Sequence, residues 1–420
     1  MTFLLFVIAA VVLLYRITSS DDRIRYFKLA LANYHQLKAA ATKPRPELDA
    51  FHAALRLRTP TAFATPALVA LMVIGSVMQW GMNTGPRTTN GEWWRLLTAM
   101  FAHASWLQLA VNAAALYQLG LLVERLAGGA VLATTFLIAG IVTGLASIAV
   151  QPVAASWGAT GAILGVYGLL GATIILSRRP AEVPPEFCIT IPPLALRRTA
   201  TVGVAVIIVN AFAGGVPLAG ELAGLAIGLA CGLGIMRGVS ESTPPAPRVA
   251  ATAAAGVVLT IALGWPLHGI ADVRPEIARV LAAEDRTATA YQSALEALKK
   301  GKSSVDEVAQ LIDGTITQEL KDTDARLKAL KKVPPEHQAM VNDAQEFLRL
   351  RAESWRLRSE SLRAAHKTPT RKRTDDTLSA DAAWRMRVEA QFRSTRAAIG
   401  KAEAVERSSL EVLSRLKTAA

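Results

Sequence analysis

The chain has 420 residues, 52% of them hydrophobic, and a mean hydropathy of +0.31. That is too apolar for a single soluble domain, and two cysteines, Cys188 and Cys231, are too few for a disulfide framework. The formal charge of +13 divides into +8 for residues 1–270 and +5 for the remainder; topology and anionic lipid account for the first excess, so it is no evidence for nucleic acid, and no nucleic-acid partner is expected.

In chain order, eight apolar runs read as membrane spans: 3–15, 64–82, 97–123, 129–150, 158–177, 199–216, 219–236 and 249–268. The first is short. It lacks a basic leader and a small-residue cleavage site, so residues 1–18 are expected to be an uncleaved anchor. Residues 19–60 are basic, with apolar and basic positions at helical spacing, and read as a cytoplasmic segment with an interfacial helix. A six-span core occupies 61–238, and a further span lies within 249–270. The tail, 271–420, is rich in Ala, Leu, Glu, Lys and Arg. Ser304-Val-Asp-Glu307 has capping-box spacing, and Pro334-Pro335-Glu336 reads as a helix start. About four helices are expected, near 275–300, 304–332, 335–366 and 379–417, as a solvated bundle or coiled coil. A partner-binding site in the tail is the alternative.

Of the basic residues before position 270, alternation through eight spans puts only Arg87 and Arg95 on the face opposite all the others. The basic side is cytoplasmic by the positive-inside rule, so the N-terminus and the tail are expected outside, in an inner-membrane protein.

Polar residues inside spans are costly and mark sites or packing contacts. Span 97–123 carries His103, Gln108 and Asn112, span 158–177 begins with Thr160, and span 219–236 begins with Glu221. Glu221 reads as the carboxylate lying within an apolar run. Thr160 and Glu221 enter from the same side and are expected at one depth, with the Thr160 hydroxyl exposed at a helix start and bonded to Glu221. Ser156 reads as a helix-start residue. Gly220, Gly224, Gly228 and Gly232 form a glycine face, with Gly161, Gly165 and Gly168 as its expected counterpart.

These residues carry a resemblance. "GEWWRLLTAMFAHASWLQLAVN", "GATGAILG" and "AGELAGLAIG" resemble, in order, the first loop with second core helix, the nucleophile helix and the sixth core helix of the rhomboid family of intramembrane serine proteases. The resemblance implies an all-α polytopic membrane protein: a six-helix rhomboid core, one extra transmembrane helix at each end, and a C-terminal helical extramembrane domain. It places Thr160 at the nucleophile position, Glu221 at that of the general base, and Gln108 and Asn112 in the oxyanion region. Trp94, Arg95, His103, Gly158, Gly161, Gly224 and Gly228 match its structural positions.

The chemistry departs from the family's serine and histidine. A glutamate is a weak base unless burial raises its pKa, and then its protonated form is a donor. Threonine's methyl crowds the attack path. The expected function is therefore a non-proteolytic, rhomboid-like protein that binds or scaffolds transmembrane clients among membrane lipids. An intramembrane endopeptidase using Thr160 and Glu221 is the alternative, and a transporter or channel is disfavoured because the spans lack paired charges. No metal or other cofactor is called for.

Overall fold

The computed structural model describes residues 46–78, 81–176, 191–237, 244–366 and 378–419, together with Lys28 and Ala32. The proposed anchor at 3–15, most of the basic segment and Cys188 lie outside the described residues. Among the described residues the chain is helical, without a β-strand; one antiparallel bridge joins Asn83 and Ser156.

A short helix, α1 (Pro46–Arg58), precedes seven apolar helices: α2 (Ala64–Val77), α3 (Trp106–Ala127), α4 (Gly129–Val150), α5 (Thr160–Leu176), α6 (Pro193–Ala213), α7 (Leu218–Ile235) and α8 (Ala246–Gly264). Five of these, α3, α4, α6, α7 and α8 with its 3-10 extension to Leu267, are long and apolar enough to cross a membrane; α2 and α5 are shorter apolar helices. The protein is an all-α, multi-pass membrane protein. The expected span 97–123 is corrected to α3: residues 95–101 form short helical turns, and the Ser105 hydroxyl then caps the long helix by accepting from Gln108 N.

The helices alternate so that residues 81–105, 151–159, 214–217 and 265–273 gather at one end, here the tail-side end. Met72, Leu116, Phe136, Ile163, Leu169 and Ile235 are buried in the bundle core. Its centre is the contact between α5 and α7. A Cβ added to Gly228 would lie 2.5 Å from Gly165 Cα, one at Gly168 would lie 2.5 Å from Leu229 N, and one at Gly224 would strike the Gly161 carbonyl. Lipid offers helices no hydrophobic reason to associate, so close backbone approach and dispersion supply the contact. The glycine faces therefore meet at Gly224, Gly228 and Gly232, whereas Gly220 faces Thr143 and Ser147 of α4.

The opposite end is held by a residue the sequence reading assigned to a loop. Glu124, in the last turn of α3, is buried. Its carboxylate accepts from the backbone N–H of Phe63 and Ala64 (2.7 Å each) and Thr65 (2.8 Å), and from the Thr65 hydroxyl (2.6 Å). The first turn of α2 has no intrahelical partners for these N–H groups and carries the positive end of the helix dipole. A carboxylate from another helix meets both needs. Glu221 is thus not the only carboxylate within an apolar helix.

The tail comprises α9 (Arg274–Lys299), α10 (Val305–Gln310), a π-helical turn (Leu311–Ile316), α11 (Thr317–Lys328), α12 (Pro335–His366) and α13 (Leu378–Ala419). Ser304 caps α10 in a reciprocal box with Glu307. Val280, Ile312, Ile316, Phe347, Trp355 and Leu416 fill the core. Within it Arg351, 4% exposed, forks onto Glu284 (2.6 and 2.8 Å) and reaches Glu406 (2.8 Å), tying α9, α12 and α13 together.

Tail and bundle are joined by more than a linker. Lys332, with φ 52° between α11 and α12, donates from Nζ to the carbonyls of Pro266 (3.0 Å) and His268 (2.6 Å) at the end of α8. The α8–α9 segment is bonded to the first loop: Ile270 N donates to Thr89 Oγ1 (3.1 Å), Gly269 N to Thr89 O (3.2 Å), and Asn90 Nδ2 to Ile270 O (2.7 Å). The Trp93 and His268 rings lie 6.3 Å apart.

Candidate functional site

The tail-side ends of α3, α5, α6 and α7 bring the sequence candidates together. Gly158, with φ 102°, takes a left-handed turn immediately before α5, and its N–H donates to Ala99 O (2.9 Å). That turn makes Thr160 the first residue of α5. It does not leave the hydroxyl exposed: Thr160 is 0% exposed, and its Oγ1 has no hydrogen-bond partner. Ser156 is not a helix-start residue. Its backbone pairs in both directions with Asn83, and its hydroxyl accepts from Asn83 Nδ2 (3.1 Å).

Glu221, in the first turn of α7, makes no bond with Thr160. Its carboxylate accepts from the amide of Asn210 on α6, which also donates to Val216 O (3.0 Å). Asn210 Oδ1 accepts from Gln108 Nε2 (3.3 Å), and Gln108 Nε2 donates further to Gly214 O (3.0 Å). The expected Thr160–Glu221 contact is replaced by a chain running Gln108–Asn210–Glu221 across three helices. An amide offers two donors and an acceptor on one planar group, so Asn210 serves both neighbours where a hydroxyl could serve one. Sequence reading missed Asn210; a lone amide in an apolar helix was the available signal.

Asn112 is buried one turn below Gln108, and its Nδ2 has no partner. His103 lies in the loop before α3, outside the spanning helices. Burial, opposed in part by a hydrogen bond to the Phe101 carbonyl, lowers its pKa from 6.5 to about 4. The Ser76 hydroxyl donates to Met72 O, which leaves His103 Nδ1 to donate to Ser76 Oγ (3.1 Å) or Phe101 O (3.3 Å). Arg95 pairs with Glu92, donates to Met82 O (3.0 Å) and lies over the Trp94 ring at 4.8 Å.

A cavity of about 720 Å³ opens beside this cluster, walled by α2, the first loop, residues 102–106 and Trp157. His103, Arg87 and Arg95 line it; Thr160, Gln108, Asn112 and Glu221 do not. Gly224 and Gly228 lie deeper, in the α5–α7 contact, and Gly161 faces Thr143 of α4.

A buried bundle whose fifth and seventh helices interlock at glycines, with polar groups gathered at their tail-side ends, is the architecture of a rhomboid domain. Residues 90–238 match the Rhomboid domain family, so this part of the chain is a rhomboid domain. A rhomboid protease of Bacillus subtilis (strain 168), GluP, is 35% identical over 104 residues, 25% of this chain and 20% of that protein. A putative rhomboid protease of the same organism, YdcA, is 32% identical over 100 residues, 22% of this chain and 49% of that one. Rhomboid-like protease 3 of Toxoplasma gondii is 31% identical over 99 residues, 24% of this chain and 38% of that one. The chain thus spans between a fifth and a half of the length of these relatives.

Proposed function

We propose that this rhomboid domain holds transmembrane client proteins without cutting them. One observation carries the reading: the hydroxyl at the nucleophile position is fully buried without a hydrogen-bond partner, while the group at the base position is bonded to Asn210. A hydroxyl nucleophile needs an adjacent base and a route for the scissile carbonyl. Thr160 has neither, and the neighbouring cavity is not lined by it. Gln108, the candidate oxyanion donor, spends its amide on Asn210 and Gly214.

The test is proteolysis. The full chain, reconstituted in vesicles with a fluorogenic transmembrane substrate, is expected to give no cleavage above the lipid blank. Cleavage abolished by Thr160→Ala would establish the alternative, an endopeptidase using Thr160 and Glu221, as the names of the relatives suggest. In photocrosslinking with co-expressed single-span proteins, client capture is expected in the wild type and retained in Thr160→Val.

The same proposal sets the domain in the inner membrane, with the N-terminus and the tail extracytoplasmic and the tail free to engage a protein partner. The lone placement of Arg87 and Arg95 on the tail side supports it. A periplasm-dependent reporter fused after residue 420 is expected to be active, and one fused at residue 40 silent; the reverse pattern overturns the orientation.

A further inference from the structure

The cavity of about 720 Å³ at the tail-side end is not lined by Thr160, Gln108, Asn112 or Glu221, and its lining is chemically one-sided. It takes in Arg87 and Arg95, the two basic residues of the membrane half that topology separates from all others, and no carboxylate. Glu92 is already paired with Arg95 and is not part of the wall. The Arg87 guanidinium is exposed and has no partner among the described residues. Ala104, Ser105 and Trp106 complete this wall at the start of α3, a helix of 22 residues whose first-turn N–H groups and dipole favour negative charge. The Ser105 hydroxyl accepts from Gln108 N and keeps its own hydrogen to donate.

The rim sets the kind of anion. Met82 and Trp106 (72% exposed) line the cavity as exposed apolar side chains, and Trp94, Leu97 and Leu107, each next in sequence or nearly so to a lining residue, are exposed as well. Exposed tryptophans beside exposed aliphatic side chains at the end of a spanning bundle sit at the boundary between lipid headgroups and acyl chains. A free phosphate has no use for such a rim, whereas the glycerol and acyl chains of a phospholipid do. An ethanolamine headgroup would bring an ammonium into a cavity that has two guanidinium groups and no carboxylate.

We propose that this cavity is a binding site for an anionic phospholipid that lacks a headgroup amine, its phosphodiester held by Arg87 and Arg95 and its acyl chains on the apolar rim. The site stands whether the core holds clients or cuts them. Trp94 and Arg95 thereby gain a role beyond bracing the loop: the indole is interfacial, and the guanidinium, held by Glu92 and Met82 O, is already oriented when lipid arrives.

The test is lipid retention by the full-length chain, measured by native mass spectrometry after detergent exchange, with phosphatidylglycerol or phosphatidylethanolamine supplied in turn. The wild type is expected to keep one phosphatidylglycerol and no phosphatidylethanolamine. Arg87→Gln is expected to lower retention about tenfold, the loss of one charge-assisted bond. Ala104→Glu puts a carboxylate at the mouth, where a helix start tolerates it, and is expected to lower retention as much. Arg248→Gln, at the opposite end, is expected to match the wild type. Equal retention in the wild type, Arg87→Gln and Ala104→Glu, or equal retention of the two lipids, overturns the proposal. Displacement of the lipid by millimolar inorganic phosphate would show a site for free anion and overturn the lipid assignment.

Discussion

The membrane bundle and the tail are both all-helical, yet they are held by opposite means. In the bundle, α5 and α7 meet backbone to backbone through Gly161, Gly165, Gly224 and Gly228, where any side chain would collide. In the tail, α9, α12 and α13 meet through large side chains: Trp355 is buried edge-on against Tyr291 at 4.8 Å, with Arg351 above it at 4.6 Å. Solvent explains the difference. Water drives large apolar side chains together and charges buried among them must be paired, whereas lipid does neither and leaves close packing and hydrogen bonds to select partners.

Mutations that exchange these rules test the contrast, and hydrogen exchange on the full chain reads each region separately. The largest effect is expected from Arg351→Ala, which strands Glu284 and should cost about 3–5 kcal/mol. Exchange should quicken in α9, α12 and α13 and leave α5 and α7 unchanged. Replacing Arg351 and Glu284 together by Met and Leu, with Glu406 left paired to Arg358, should restore stability to within about 1 kcal/mol of the wild type or above it. Gly228→Leu should do the reverse, costing about 3 kcal/mol, the top of the overpacking range, with the loss confined to the bundle. If thermal unfolding in detergent is unchanged by Gly228→Leu, the α5–α7 contact is not what holds the core.

Glu124→Ala removes the acceptor of three backbone N–H groups and should cost about 1–3 kcal/mol, seen as faster exchange at the start of α2. Thr160→Val is expected to change stability by less than about 1 kcal/mol, towards greater stability, because the lost hydroxyl is buried without a partner. A severe loss would show that the hydroxyl is engaged after all.

The smallest effect concerns pH. Bonds from Ser304 N and then the Ser303 hydroxyl hold Glu307 below its ordinary value of 4.5. Its contribution to α10 is complete above that value and is lost as pH falls through the lower, folded one. Exchange at the start of α10 should therefore rise only in acid, and Glu307→Gln, which keeps the acceptor oxygen but does not titrate, should remove the dependence.

What the sequence disclosed, and what it withheld, follows from the range of the interactions. The glycine register of α7 and the Ser304 box are written in spacings of three or four residues along one helix, and a single strand of text carries them. Glu124 was hidden because an apolar run stops where charge begins, while the helix continues to Ala127 to reach an N-terminus some sixty positions earlier. Asn210 and the Asn83–Ser156 bridge depend on which helices become neighbours, which no local pattern records. The rhomboid motifs located Thr160 and Glu221 correctly on their helices. They were silent about Asn210, which takes up the carboxylate that the hydroxyl was expected to meet.

Lys332 gives the two regions a shared mechanical fate. Its ammonium grips the last carbonyls beyond α8, and the same short segment is laced to Thr89 and Asn90. The tail is consequently cantilevered from the first loop rather than tethered to it. Thr89, which holds that segment, stands two residues from Arg87, so the start of the tail and the wall of the cavity share one anchoring point.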